Sequence, residues 1–141
     1  MSGIKDLAQK RSQFAYQKVE EAIKKYPNVI DEKTKKLVPS KQQKEYKSYV
    51  KKIPMMILTN GLGATFAFIY SKKKKSEAYE LIDKQVLKWF KLDEKEDLVK
   101  WIIDQESQEY RATTNEVLAL FNWLKRFADG MIEEGSDEST K

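Results

Sequence analysis

Between Ile4 and Tyr26 the apolar residues Ile4, Leu7, Ala8, Ala15, Val19, Ala22, Ile23 and Tyr26 recur at helical spacing, which predicts an amphipathic helix. Pro27 ends it. The connector "NVIDEKTKKLVPS" follows, rich in lysine, with Pro39 and Ser40 as boundary signals. From residue 41 to 53 the helical period resumes: Lys44, Lys47 and Lys51 fall on one stripe, and Tyr46, Tyr49, Val50 and Ile53 lie opposite. That pattern predicts one basic side and one packing side. Pro54 either kinks this helix or opens the next, and Asn60 with Gly61 bends or closes the turn before "LGATFAFIY". Ser76, with Glu77 and Glu80 in the first turn, predicts a helix to about Phe90. Asp93 and Glu96 form a capping-box pattern ahead of "LVKWII". The last helix starts at a second such pattern, Thr113 with Glu116, or earlier near Ser107; it lines Val117, Phe121, Leu124, Ala128 and Met131 along one face, flanked by Leu120 and Phe127. Alternation of period two is not sustained anywhere, and there is no long internal repeat. The expected fold is all-α, a compact bundle of about six helices forming one domain over residues 1–132, with residues 133–141 as an acidic flexible tail.

The run "IPMMILTNGLGATFAFIY", residues 53–70, carries no charge and has lysines at both rims, at 51–52 and 72–75. Its length approaches the roughly 20 residues of a membrane span. Pro54, Thr59, Asn60, Gly61, Gly63 and Thr65 interrupt it, however, and lysines at both ends give no inside–outside asymmetry. The run therefore reads as a central core segment, bent at Pro54 and Gly61, with amphipathic helices packed around it. Its glycines read as a turn or a tight helix contact, the alternative being close approach of backbone to a ligand. Trp89, Trp101 and Trp123 read as core and interface anchors in preference to stacking partners for bases.

Composition narrows the chemistry. The chain has no cysteine and no histidine, which excludes disulfides, thiolate nucleophiles, histidine-based triads and the usual zinc sites. No cofactor or metal site is expected. Asp93, Glu94, Glu96 and Asp97 are the best candidates for carboxylate-bound magnesium, but they suit a helix N-terminus better, so the chain reads as a non-enzyme. The opening residues lack an apolar secretory core, which places the protein in the cytoplasm and off the membrane. Charge is divided: residues 1–75 hold 18 Lys/Arg against 6 Asp/Glu, and residues 76–141 hold 9 against 16. The basic part attracts phosphate, or the acidic part of a second copy.

Two segments carry a resemblance to a known family. Tyr46 to Lys52 leads into Pro54, Met55, Asn60, Gly61, Leu62, Ala67 and Phe68. Near the other end stand Tyr110, Arg111, Thr114, Glu116, Trp123, Leu124, Lys125, Arg126, Phe127 and Ala128. This pattern resembles the small subunit of the Cmr-type (type III-B) CRISPR RNA-guided effector complex, over essentially the whole chain to Met131. The resemblance implies a helical, non-catalytic subunit. Several copies stack along the guide RNA and its paired target RNA, beside the backbone and large subunits of the effector complex; the basic and acidic halves of the chain add the expectation that copies meet head to tail. The connector and residues 71–97 match nothing in the pattern.

Residue chemistry suits that role. Lys and Arg neutralise phosphate without reading sequence, as contact with a guide of arbitrary sequence requires. On the last helix Arg111, Asn115, Asn122 and Arg126 lie away from the apolar stripe. The candidate RNA-binding residues are Lys44, Lys47, Lys51, Lys52, Arg111, Lys125 and Arg126. The competing expectation is a protein–protein scaffold whose lysines pair with acidic neighbours and touch no RNA.

Overall fold

A computed structural model describes residues 5–133; Ile4 and the acidic tail from residue 134 onward lie outside the described residues. Helix α1, Leu7–Lys25, starts where the Asp6 carboxylate accepts from the Gln9 N–H and the Gln9 side chain accepts from the Asp6 N–H in return. Its buried face is Ala15, Val19 and Ala22. Leu7 and Ala8, expected on that face, are exposed, because the helix reaches the other elements only from its second turn.

The connector holds a short hairpin that the sequence pattern does not show. Strands β1, Val29–Ile30, and β2, Leu37–Val38, pair antiparallel with Val29 opposite Val38 and Ile30 opposite Leu37. Two residues per strand are too few for alternation to register. The turn is made by Asp31, whose carboxylate accepts from the Lys33 N–H and the Thr34 hydroxyl, and by Lys35 in a left-handed conformation (φ 62°).

Helix α2, Lys41–Asn60, is capped by Ser40 and continues through Pro54, which removes the N–H that would have met the Val50 carbonyl. The chain turns at Gly61 instead, where φ of 91° is open to glycine. Helix α3, Leu62–Lys72, follows at once, so the uncharged run is two helices meeting at a glycine. Ile53, Ile57, Leu62, Phe66 and Ile69 enter the core, whereas Met55, Leu58, Phe68 and Tyr70 face outward. Helix α4, Glu77–Trp89, has its Ser76 cap as expected. Helix α5, Leu98–Ile103, is capped by Asp97 and not by Asp93, which spends its carboxylate on the Lys95 N–H. Helix α6, Ser107–Met131, begins at the earlier of the two expected starts, leaving Thr113 buried within it. The result is all-α apart from the hairpin, with six helices among the described residues.

Cross-contacts give the helices their directions. Lys47 and Lys51 of α2 reach Ile132 and Asp129, while Gly63, just past the end of α2, meets Tyr110; α2 and α6 are therefore antiparallel. Arg11 and Tyr16 of α1 meet Glu116 and Phe127, so α1 advances with α6. A buried polar chain ties three helices: the Tyr46 hydroxyl donates to Gln85 Oε1 (2.8 Å), and Gln85 Nε2 donates to the Lys18 carbonyl (3.0 Å). A second tie is Glu116, which accepts two bonds from the Arg11 guanidinium (2.8 and 2.7 Å) and one from the Trp89 indole (2.9 Å).

Candidate nucleic-acid interface

The antiparallel pairing of α2 with α6 lays two side-chain series along one groove. Lys51, Met55 and Leu58 repeat at one helical turn on α2, and Leu118, Asn122 and Lys125 repeat at the same spacing on α6. Together with Pro54 they line a hollow of about 360 Å³. A second hollow of about 220 Å³ continues along α6 between Ala119, Asn122, Trp123 and Arg126. Its Trp123 ring stacks on Phe127, which itself meets Tyr16 edge-on. The groove thus joins exposed apolar side chains to cations and a side-chain amide.

The seven predicted residues are not all in this groove. Lys51 and Lys125 line it, and Arg126 stands in the adjoining hollow. Lys44 is exposed two turns before Lys51 on the same helix. Arg111 is exposed near the other end of α6, about 16 Å along the axis from Asn122 at 1.5 Å per residue. Lys52 turns aside: its ammonium lies 4.9 Å from the centre of the Tyr49 ring and 5.9 Å from that of Tyr79. The expected Lys44–Lys47–Lys51 stripe is broken in the middle. Lys47 is buried, and its ammonium donates to the Ile132 carbonyl at 2.9 Å with Asp129 at 3.9 Å. The stem of Lys47 packs under α6 and its charge answers the last carbonyls of that helix, a use that favours a cation there. Lys51 also meets Asp129, at 3.0 Å, so one carboxylate lies among the cations of this face.

Several parts of the site had no sequence expectation. The uncharged run reads as core, yet its Met55 and Leu58 flank the groove. Their spacing from Lys51 carries the signal, and the apolar residues around them mask it. Beside Lys52, Tyr49 and Tyr79 stack with centres 3.9 Å apart and planes 3° from parallel, and Phe68 meets Tyr79 edge-on. Burial, more than any neighbouring charge, raises both tyrosine hydroxyls above their ordinary pKa. No sequence spacing announces a pair that joins α2 to α4.

Asp93 and Asp97 are spent on the Lys95 and Lys100 backbone N–H groups, and among the described residues there is no group of three or more His, Cys, Asp or Glu placed to hold a metal ion. No helix among the described residues is long and apolar enough to cross a membrane.

A family model described as CRISPR-associated protein (Cas_Cmr5) matches residues 7–131, which is the span from the first residue of α1 to the last of α6. The chain belongs to the Cmr5 family. A curated relative, the CRISPR system Cmr subunit Cmr5 of Thermus thermophilus, is 29% identical over 123 residues, covering 87% of this chain and 93% of the relative. The crystal structure of a CRISPR-associated Cmr5 family protein from the same organism superposes with a TM-score of 0.72 at 28% identity, covering 92% of this chain and all of that one. The Cmr5 family is thus the one whose motifs the sequence resembles. In the Cmr5 fold as this chain builds it, many of those motif residues are joints. Tyr46 starts the buried polar chain, Gly61 makes the turn, Tyr110 accepts from the Gly63 N–H at 2.7 Å, and Glu116 ties α1 and α4 to α6.

Proposed function

We propose that this Cmr5-family chain is the small, non-catalytic subunit of a type III-B CRISPR ribonucleoprotein effector in cytoplasmic antiviral defence. Several copies stack along the guide RNA and its target RNA, beside the backbone and large subunits. Each touches RNA phosphates through the α2/α6 face without reading bases. Family membership supports the assembly, and one structural observation carries the RNA contact: Lys51, Lys125 and Arg126 lie along one groove, with Lys44 and Arg111 exposed on the same two helices.

Affinity for single-stranded RNA measured against salt tests this reading. About four phosphates neutralised give a slope of log affinity on log salt near −3, or about 60-fold between 50 and 200 mM. Lys125→Ala and Arg126→Ala each reduce the slope by about 0.7. Lys47→Met leaves the slope unchanged and lowers stability, because that ammonium is engaged internally. A flat salt response refutes the phosphate contact.

A scaffold reading without RNA is favoured by a different observation, the Asp129 carboxylate and the exposed Met55 and Leu58 in the same face. On that reading, reversing the charge of Lys125 and Arg126 disrupts assembly with the other subunits and leaves RNA affinity unchanged.

A further inference from the structure

Where the chain leaves α6 is fixed by α2. Ile132, the first residue past the helix, is buried, and its carbonyl accepts from the Lys47 ammonium at 2.9 Å. Glu133 after it is exposed. The chain is therefore delivered to the surface beside the N-terminal half of α2, at one end of the α2/α6 groove. A carboxylate already enters the groove from this end: Asp129, in the last turn of α6, meets Lys51 at 3.0 Å and Lys47 at 3.9 Å. Glu133 opens the stretch "EEGSDESTK", in which Glu133, Glu134, Asp137 and Glu138 stand against Lys141 alone.

Charge around this exit is unequal on its two sides. Toward α2, Lys41 and Lys44 are exposed and precede Lys47 on the helix, and Lys51, Lys125 and Arg126 follow along the groove and its adjoining hollow. Asp129 is the carboxylate among these cations. Glu45 lies toward Tyr49 and Tyr79, on the α4 side of α2. Toward α1, the residues that continue the stripe of Tyr16 are Glu20 and Lys24, one of each sign. The carbonyl end of α6 would itself repel an acidic chain, but Lys47 answers that charge.

We infer that the acidic segment from Glu133 to Glu138 folds back over the end of α6 and occupies the α2/α6 groove of its own chain until RNA phosphates displace it. Its carboxylates lie against Lys44, Lys51 and Lys125. This rests on the phosphate-contact reading above and adds its regulation. Lys125 stands seven residues before Ile132, about 10 Å along α6, whereas six extended residues span about 20 Å. The slack covers a reversal, and Gly135 supplies a backbone free to make it. The chain's own segment is the occupant, in preference to a second copy, because exposed ion pairs are individually weak and a short tether holds the carboxylates at an effective concentration of about millimolar. The same weakness makes the contact reversible. A short polyanion is turned away, and a long RNA, with many phosphates on one chain, takes the groove.

Carbodiimide coupling of the full-length chain, which joins a carboxylate to a lysine amine in contact with it, tests the placement. Fragmentation must locate the linked residues, because Asp129 links to Lys51 in any case. The expected links join Glu134, Asp137 or Glu138 to Lys44, Lys51 or Lys125, within one chain when isotope-labelled and unlabelled protein are mixed. Added oligouridylate suppresses them. A second chain carries Glu134→Gln, Asp137→Asn and Glu138→Gln together, substitutions that leave Ile132 and the core untouched. Its affinity for oligouridylate is several-fold higher at about 50 mM salt, and the gain shrinks as salt rises and screens the tail from the groove. Links to Lys24 or other lysines off the groove, or links only between copies, overturn the docked tail. Links to the groove with no gain in affinity, at a normal salt slope, overturn its regulation of RNA. Links that oligouridylate does not suppress, with a flat salt slope in both chains, sink the phosphate contact and leave the docked tail standing.

Discussion

Replacing Glu116 with alanine removes the acceptor of three hydrogen bonds that hold α1 and α4 to α6. The side chains of Arg11 and Glu116 are 19 and 20% exposed, so the pair lies between a surface ion pair and a buried one. Its loss is bracketed by about 0–1 kcal/mol for exposed pairs and about 3–5 kcal/mol when one partner of a buried pair is removed. Two charge-assisted bonds sharing one carboxylate account for about 2 kcal/mol, and the stranded indole N–H for about 1 kcal/mol more. The expected cost is about 3 kcal/mol, a fall in Tm of about 10 °C for a chain of this length. Urea denaturation of wild type, Arg11→Met, Glu116→Ala and the double variant isolates the pair term, with an expected coupling of about 1.5 kcal/mol. A coupling below about 0.5 kcal/mol would show that the pair behaves as an exposed bridge and that α1 is held by apolar packing alone. The salt slope of RNA affinity should be unaffected in the folded variants, because Glu116 faces α1 and α4 while the groove residues face α2.

Two further predictions concern the glycine corner and a buried carboxylate. A Cβ on Gly63 would stand 3.2 Å from Tyr110 Oη and 3.3 Å from Ile103 Cγ2, so Gly63→Ala is expected to destabilise despite the roughly 0.5–1 kcal/mol that alanine gains in a helix. In a Tyr110→Phe background the same change should become neutral or stabilising by thermal denaturation, and an unchanged penalty would place the obstruction elsewhere. Asp83, buried 3.4 Å from Lys73, has its carboxyl pKa raised: burial lifts it more than Lys73 lowers it. A native pKa above the unfolded value of about 3.9 means that the native state holds more protons in the window between them. Its contribution to stability is present below about pH 4 and is lost as pH rises through the native value. Wild type should therefore lose stability relative to Asp83→Asn across that window, read from urea midpoints at successive pH values; the opposite trend would show that Lys73 dominates.

What could be read without coordinates follows from how local each signal is. The apolar face of α6 and the Ser76 cap of α4 are written within a few residues of each other and stand in the structure as expected, and α6 takes the earlier start near Ser107 without a side-chain cap. The hairpin escapes such a reading because its strands are too short to alternate. The interruption at Pro54 does not end α2, because packing of Val50, Ile53 and Ile57 against the core outweighs one missing rung. Lys47 shows the limit most directly. Its spacing from Lys44 and Lys51 puts it with the basic stripe, yet a stripe of this width on a helix spans both solvent and the seam with the neighbour. Which side a residue takes depends on where α6 ends, eighty-five residues later.

The same reasoning separates the two kinds of residue that identified the family. Tyr46, Gly61, Tyr110 and Glu116 each satisfy a partner on a distant element or a demand of the backbone, so their identity is fixed by geometry: a phenol of the right reach, a backbone at positive φ, a carboxylate between a guanidinium and an indole. Phosphate contact makes no such demand. Any cation at the right place on the face contributes one charge, and loss of one lowers the salt slope by a single increment without changing the fold. A motif can therefore announce the scaffold while saying little about which lysines meet RNA. On the proposed reading those are picked by position along the α2/α6 groove, where Lys51 and Lys125 come together only after two helices separated by the whole of α3, α4 and α5 have been laid antiparallel.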